Sequence, residues 1–528
     1  MALPALLACG LLQNTSKHFQ LPKGYYGVES ILLLIALMAL ARIKSIESLR
    51  YCAPGEWGKL LGLDRIPEVR TLREKLGYLS ENNRSEQWNA ELCSQWMQAE
   101  PEASATLYVD GHVRVYHGHQ TSLPRHYVAR EKLCLRATCD YWINALDGQP
   151  FFYINKAIDP GLLQVLEKDI VPYIEKTMPS RYTTLQLKQE PLLHRYTLVY
   201  DREGYSPDFM IKMKLQRIAV ITYHKHPGED WPVEEFRTHQ VQLISGAMVE
   251  AKLAERGTFI GGKIWVREVR KLTDTHHQTA IIATDYSSCL TKIAVYMVNR
   301  WCQENFFKYM REHYNLDRLV DYSLEKIHDA TRLVNPEYRD LDSQIRSQQA
   351  RMTRLLAEFG SIHLEGEIEP RKIETYQLKK ANLQEEINEM KKNIVALKGQ
   401  RKETPHHVTM ANLSKEKQFS RLATQTKHLI DTIKMIAYRA ETIMVNVLRE
   451  MMSRHDDGRS LLRGIYNTEV DLFPDENEKT LTVNLHTMAN QSSDNALTHL
   501  CREMNATETV FPGTKLRLIY KVGSREFP

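Results

Sequence analysis

A chain of 528 residues is too long for one compact core, so two or more domains are expected. Its composition, 43% hydrophobic and 26% charged residues, is ordinary for a soluble globular protein. A net charge of +5 excludes a surface that is basic all over, so any nucleic-acid surface must be local.

Eight cysteines stand at positions 9, 52, 93, 134, 139, 289, 302 and 501. Only Cys134 and Cys139 are neighbours, and no second pair completes a zinc site. Free thiols in a reducing cytosol are the expectation. Leu6-Leu7-Ala8-Cys9-Gly10 has the look of a lipoprotein cleavage box but lacks a basic start and a full apolar stretch before the cysteine. Ile31 to Ala41 is an apolar run of eleven residues, where a membrane-spanning helix needs about twenty. It reads as a buried helix, with no membrane partner and no targeting signal.

Residues 1–100 read as a helical domain. Pro67 suits a first helical position, and Val69, Leu72, Leu76 and Leu79 follow at helical spacing. Two short helices around Gly62 would make a helix-turn-helix with Arg65, Arg70, Arg73 and Lys75 on a basic face, or an ordinary helical pair with a solvated charged side. Near residue 105 the pattern turns to strands. Thr106 to Val109 is a short apolar run ending on Asp110, and alternating Val113 and Val115 continue it as a hairpin. Leu133 to Thr138 and Phe151 to Ile154 are further strands, Pro160 to Lys176 has helical periodicity, and Tyr196 to Tyr200 is an apolar strand ending on Asp201. Residues 212–285 are strand-rich, and one long helix is expected over about 287–314. Gly261-Gly262-Lys263 lacks the spacing of a phosphate loop.

From about 337 the chain is charged and helical. Leu383, Ile387, Met390, Ile394 and Leu397 form a heptad seam, and Ile345, Met352, Leu356 and Phe359 form a similar stripe before it. Gly360, Gly366 and Pro370 break the helix between them. An antiparallel hairpin over 337–405 is the economical reading, and an intermolecular coiled coil is the competitor. Another helix spans about 415–455, and the region 406–528 ends in short strands and a helix near 494–504.

Three acids stand out by position. Asp110 and Asp201 each close an apolar strand, and Glu304 lies in the helix after the strand at 280–283. Carboxylates at strand ends can converge with one from a helix at the edge of a sheet. Their mutual repulsion is relieved by a divalent cation, and hard oxygen ligands suit magnesium or manganese. Two such ions can activate a water or 3′-hydroxyl against a phosphodiester and stabilise the leaving oxygen. Tyr296, Arg300, Glu304, Lys308 and Arg311 fall on one helical stripe. Such a stripe fits a site where Glu304 takes metal and its basic neighbours take DNA phosphates; a solvated face with i,i+4 pairs is the plain alternative. His112 lies two residues past Asp110 and would share its face of a strand, where it could touch DNA or serve as a structural hydrogen-bonding histidine. Asp140 and Asp285 follow short apolar runs and are rival acids.

Three blocks carry a resemblance. Asp110-Gly111-His112 with Tyr116-His117-Gly118, then Tyr200-Asp201-Arg202-Glu203-Gly204-Tyr205-Ser206, then Asn299-Arg300-Trp301-Cys302-Gln303-Glu304-Asn305-Phe306-Phe307-Lys308-Tyr309 resemble the acid-bearing blocks of bacterial insertion-sequence transposases of the DDE type. Arg136-Ala137-Thr138-Cys139-Asp140-Tyr141-Trp142 and the heptad region are similar to the same family. The resemblance implies a mixed α+β fold, with a ribonuclease-H-like catalytic core over 101–330 and a β-rich insertion at about 212–275. It also implies catalysis and metal binding by Asp110, Asp201 and Glu304 with two Mg2+ or Mn2+ ions, and DNA contacts from Tyr296, Arg300, Lys308, Arg311 and His112. The related signature Tyr-x2-Arg-x3-Glu-x6-Lys is met at Arg300 and Glu304, but three residues separate Tyr296 from Arg300 and Arg311 replaces the lysine. The implied partner is double-stranded DNA, at transposon ends and target, bound by a homodimer in the bacterial cytosol at the nucleoid. A nuclease on the same core and an inactive DNA-binding scaffold are the alternatives.

Overall fold

The computed structural model describes residues 1–118, 123–179, 181–243, 246–318, 324–327, 329, 331–363, 370–414, 418–454 and 457–523. The chain divides into two compact units. The first comprises Met1–Tyr116, Arg125–Ser323 and Leu422–Pro528, and the second His117–Pro124 and Leu324–Arg421. Residues 1–100 and the chain beyond 422 therefore share one unit with the sheet, so the divisions expected at 100 and 406 do not bound compact units.

Ten strands of the first unit form one sheet. They are β1 (Thr106–Val115), β2 (Arg125–Val128), β3 (Leu133–Asn144), β4 (Pro150–Lys156), β5 (Tyr196–Tyr200), β6 (Ile218–Tyr223), β7 (Arg237–Gln242), β8 (Met248–Ile260), β9 (Ile264–Leu272) and β10 (Gln278–Ala283). The order is β2-β3-β1-β5-β6-β10-β9-β8-β7, with β4 also on β3. β1, β5 and β6 are parallel neighbours, while β3 runs antiparallel to both β1 and β4. Every residue of β5 is buried, as a parallel strand covered on both faces requires. Of the β-rich stretch expected at about 212–275, β6 lies beside β5, and antiparallel strands follow from Arg237 to Ala283.

Alternation along these strands feeds two cores. Leu107, Val109, Leu198, Tyr200 and Val220 join the larger one, while Tyr108, Val199 and Ile221 join the smaller one on the other face. The larger core also takes the buried helix Val28–Leu40 and the helix Gln425–Arg449, most of whose residues are buried. Among the described residues no helix is long and apolar enough to cross a membrane, and all eight cysteines are free.

The single helix expected over 287–314 is two helices, Leu290–Val298 and Arg300–Tyr314, meeting at Asn299. The reason lies in burial. Ile293, Ala294, Tyr296 and Met297 pack into the smaller core, whereas Phe306, Phe307, Met310 and Tyr314 pack into the larger one. One straight helix cannot bury its two ends on opposite faces of a sheet, so the chain turns as it passes the sheet's edge.

Around Gly62 the helices are Pro54–Lys59 and Val69–Leu79, the second starting two residues after Pro67. Gly62 has φ +67°, and a Cβ there would meet the Phe511 ring at 2.9 Å. The expected basic face is partly neutralised, because Arg73 bridges Glu47 and Arg70 bridges Glu74.

In the second unit, Pro336–Ser361 and Pro370–Glu403 are the two helices of an antiparallel hairpin. Ion pairs Asp342–Arg401 and Arg351–Glu386 fix the direction, since partners move apart in sequence as the helices are followed in opposite senses. Ile345, Leu383, Ile387, Met390 and Ile394 are buried in it. Gly360 lies within the first helix, Pro370 opens the second, and Gly366 lies outside the described residues.

Candidate active site

β1 and β5 pair in register with Val109 opposite Tyr200, so the next residues on both strands, Asp110 and Asp201, lie side by side. Neighbouring strands are about 5 Å apart, which sets the distance between the two backbones there. Asp110 is not at a strand end as expected, because β1 continues to Val115. Asp201 follows β5 directly and caps a short turn, accepting from Arg202 N at 2.6 Å.

Glu304 reaches this edge on the helix Arg300–Tyr314. The anchor is its neighbour Gln303, a buried side chain whose Nε2 donates to the carbonyl of Trp142 at 3.0 Å, to Asn144 Oδ1 at 2.9 Å and to the carbonyl of Tyr108 at 3.3 Å. Those acceptors lie on β1 and β3, so the helix is pinned across the strand that bears Asp110. Sequence reading missed Gln303, since a glutamine among charged residues carries no mark of what it will anchor.

Arg300 stands among the three acids. Its Nη1 lies 3.1 Å from Asp201 Oδ1 and its Nη2 3.5 Å from Glu304 Oε1. Asp110, half-buried, accepts from Gly111 N at 2.9 Å. Its carboxyl is raised from 3.8 to about 6, first by burial, and further by the charges of Asp201 and Glu304, against the opposing charge of Arg300. The three acids thus lie within electrostatic reach of one another, with one guanidinium to three carboxylates.

Among the described residues no group of three or more His, Cys, Asp or Glu side chains is arranged to hold a metal ion. The donor chemistry nonetheless fits a hard cation. All three groups offer carboxylate oxygens, and a single guanidinium stands against the three of them.

The other expected residues divide. Lys308 is exposed on the same helix, one turn beyond Glu304. Arg311 is half-buried, and its charge helps hold the Asp317 carboxyl below its usual value; burial raises that group, and the His112 hydrogen bond with the charges of His112, Arg130 and Arg311 outweighs it. Among the described residues Arg311 Nε is buried without a hydrogen-bond partner. His112 is buried, hydrogen-bonded to Asp317 and stacked on Phe307 at 5.0 Å. Tyr296 lies before the turn at Asn299 and is buried in the smaller core, so it does not share a continuous stripe with Arg300. The rival acids are committed elsewhere. Asp140 is fully buried against Arg114 and Asn155, and Asp285 accepts from Ser287 N at 3.0 Å and Ser288 N at 2.9 Å.

No curated protein matches the chain. A family model described as Transposase protein matches residues 1–524, so the chain belongs to that transposase family, which implies DNA as a partner.

Proposed function

We propose that the protein is a DDE-type DNA transposase that cuts phosphodiesters at transposon ends and joins the freed 3′-hydroxyl to target DNA, with Asp110, Asp201 and Glu304 as its catalytic acids. The observation that carries this reading is the side-by-side register of Asp110 and Asp201, with Glu304 pinned beside them and Arg300 between. A ribonuclease-H-like core is supported by the strand order β4-β3-β1-β5-β6, three antiparallel strands followed by two parallel ones.

In this reading Asp110, Asp201 and Glu304 would hold two Mg2+ or Mn2+ ions, which when bound supply Lewis acidity and a nucleophile at neutral pH. The chain's own residues do the rest. Before DNA arrives, Arg300 offsets part of the acids' mutual repulsion and keeps Asp201 and Glu304 oriented towards one point. With cations bound there its guanidinium would be free to face a phosphate, for which its planar donors are suited. Lys308 and Arg311 continue the basic line along the helix and would receive the next phosphates of the same strand. Gln303 holds the helix at a fixed height over β1, so that Glu304 is placed by backbone contacts and not by its own charge. We take the acting form to be a homodimer assembled on two DNA ends.

The test uses a synthetic duplex copying the DNA that borders the gene, with and without magnesium. Magnesium-dependent nicking at the repeat ends and joining to added plasmid support the reading. Nicking without joining would make the protein a nuclease, and binding without nicking a scaffold.

A further inference from the structure

Three adjacent parallel strands pass or reach the acid edge, and two of them deliver the aspartates. The third is β6. Val199 pairs with Ile221, so two residues further on Tyr223 lies level with Asp201, as Asp110 does on the other side. Val199 and Ile221 face the smaller core, and strand alternation puts Asp201 and Tyr223 on that same side. The row across the edge is therefore Asp110, Asp201, Tyr223.

Tyr223 is only half-buried. Its ring packs on the rim of the smaller core, and among the described residues no hydrogen bond engages its hydroxyl. A tyrosine at a core's rim ordinarily finds a partner for its O–H. Two guanidinium groups lie near the ring: Arg300, which also pairs with Asp201 and Glu304, is 6.0 Å from its centroid, and Arg202 is 6.0 Å away as well. A neutral donor near two cations and two carboxylates is suited to a phosphate oxygen. It adds a directed hydrogen bond without adding charge that the acids would repel or capture.

We propose, resting on the transposase reading above, that Tyr223 is a fourth side chain of the site and donates a hydrogen bond from its Oη to a non-bridging oxygen of the phosphate that is cut. Arg300 and Arg202 set the height of the ring by lying against it, and β6 sets its lateral position. No bond to the tyrosine forms or breaks; its role is to hold the phosphate and to offset charge on the oxygens of the transition state.

The experiment compares wild type, Tyr223→Phe and Asp201→Asn on the bordering-DNA duplex with magnesium, and repeats it on duplexes carrying a single Rp or Sp phosphorothioate at the cut. Tyr223→Phe keeps the ring and its packing, so the fold is preserved. Its expected effect is a loss of about 10- to 100-fold in kcat, the range for one hydrogen bond to a charged oxygen, with DNA affinity changed by less than about 3-fold. Sulfur is a poor acceptor, so for one of the two isomers wild type should slow to the rate of the variant and the variant should lose little more. A wild-type rate in Tyr223→Phe with an inactive Asp201→Asn overturns the inference and leaves the transposase reading standing. Full activity in Asp201→Asn overturns the reading itself. A Tyr223→Phe loss that is the same on both isomers as on the normal duplex assigns the hydroxyl a structural role and also overturns the inference.

Discussion

Two clusters of charge in the first unit are built from the same residue types and behave in opposite ways. At the edge of the sheet, Asp110, Asp201 and Glu304 share a single arginine and remain partly open to solvent. Beneath the helix Gln425–Arg449, the charges are sealed and matched. Glu441 is fully buried, takes Arg42 at 2.8 Å and Arg459 at 3.6 Å, and accepts from the hydroxyls of Tyr309 and Tyr314. Nearby, buried Asp140 is held by Arg114, and buried Asp431 by Lys427 and Lys434. The difference separates two uses of a carboxylate. Where every acid has its own base and the water is gone, charge holds elements together. Where acids outnumber bases at an accessible edge, charge is left for something that binds.

The sharpest way to break this contrast is to remove one acid from each cluster. Asp201→Ala should lower DNA cleavage by roughly 10³-fold or more while thermal unfolding stays near wild type, since its side chain is about half exposed and supports little packing. Binding of the bordering DNA should persist, because phosphate contacts to basic residues supply most of the affinity. A cleavage rate within about tenfold of wild type would remove Asp201 from the chemistry.

Glu441→Ala should do the reverse. It leaves Arg42 and Arg459 without their buried counter-charge and two tyrosine hydroxyls without their acceptor. Breaking a buried pair from one side costs about 3–5 kcal/mol, which urea unfolding would read as a large fall in midpoint. A loss under about 1 kcal/mol would mean that this network is not sealed.

Asp110→Asn probes the open cluster by stability. The folded protein holds the Asp110 proton more tightly than the unfolded chain does, with the carboxyl raised from 3.8 to about 6. The folded state therefore binds more protons across that interval, and stability falls as pH rises through it, then levels off above pH 6. Asparagine carries no such penalty. At pH 7, in chelator, Asp110→Asn should be more stable than wild type by about 1–3 kcal/mol, and the advantage should vanish near pH 4. Divalent cations should narrow the gap by stabilising wild type alone. A variant that is less stable than wild type at pH 7 would show that Asp110 is already compensated.

Much of this contrast could be read along the chain, and the limit of that reading is physical. Asp110 and Asp201 are visible because each follows an apolar β-rich run, and Glu304 because it is one acid within a stripe of bases. Asp140 and Asp285 carry the same local mark, and only their partners, Arg114 and the amides of Ser287 and Ser288, take them out of contention. Arg114 is a contact of the folded chain, without a pattern in spacing, while the Ser287 and Ser288 amides form a local turn that many strand-end aspartates share. The helical hairpin was legible because its seam repeats. The turn at Asn299 was not, since it depends on which face of the sheet each half of the helix covers. Tyr223 escaped for a related reason: its place beside Asp201 is a matter of strand register, which one apolar run does not specify. The N-terminal hundred residues read correctly as helical but not as part of the sheet's own unit, so removing them would strip the larger core of Val28–Leu40 and test folding in place of DNA-end preference.

The smallest effect concerns the basic line beside the acids, and it compares a free cation with a paired one. Lys308 is exposed one turn from Glu304, and Arg311 carries a buried Nε that lacks a partner among the described residues. Arg70, by contrast, is joined to Glu74 at 3.2 Å one turn away on its own helix. A cation that neutralises a DNA phosphate releases a counterion, so its removal lowers the slope of log affinity against log salt by about 0.9. Lys308→Ala and Arg311→Ala should each show that reduction, about equally for end-bearing and unrelated duplexes, because phosphate contacts carry no base sequence. Arg70→Ala should leave the slope unchanged. Fluorescence anisotropy over 50–300 mM salt measures all three. Arg311 is the more informative of the pair, since its charge also supports the Asp317 carboxyl that His112 holds. If the Arg311→Ala slope matches wild type while unfolding shifts to lower temperature, Arg311 belongs with the sealed charges, and the open cluster ends at Lys308.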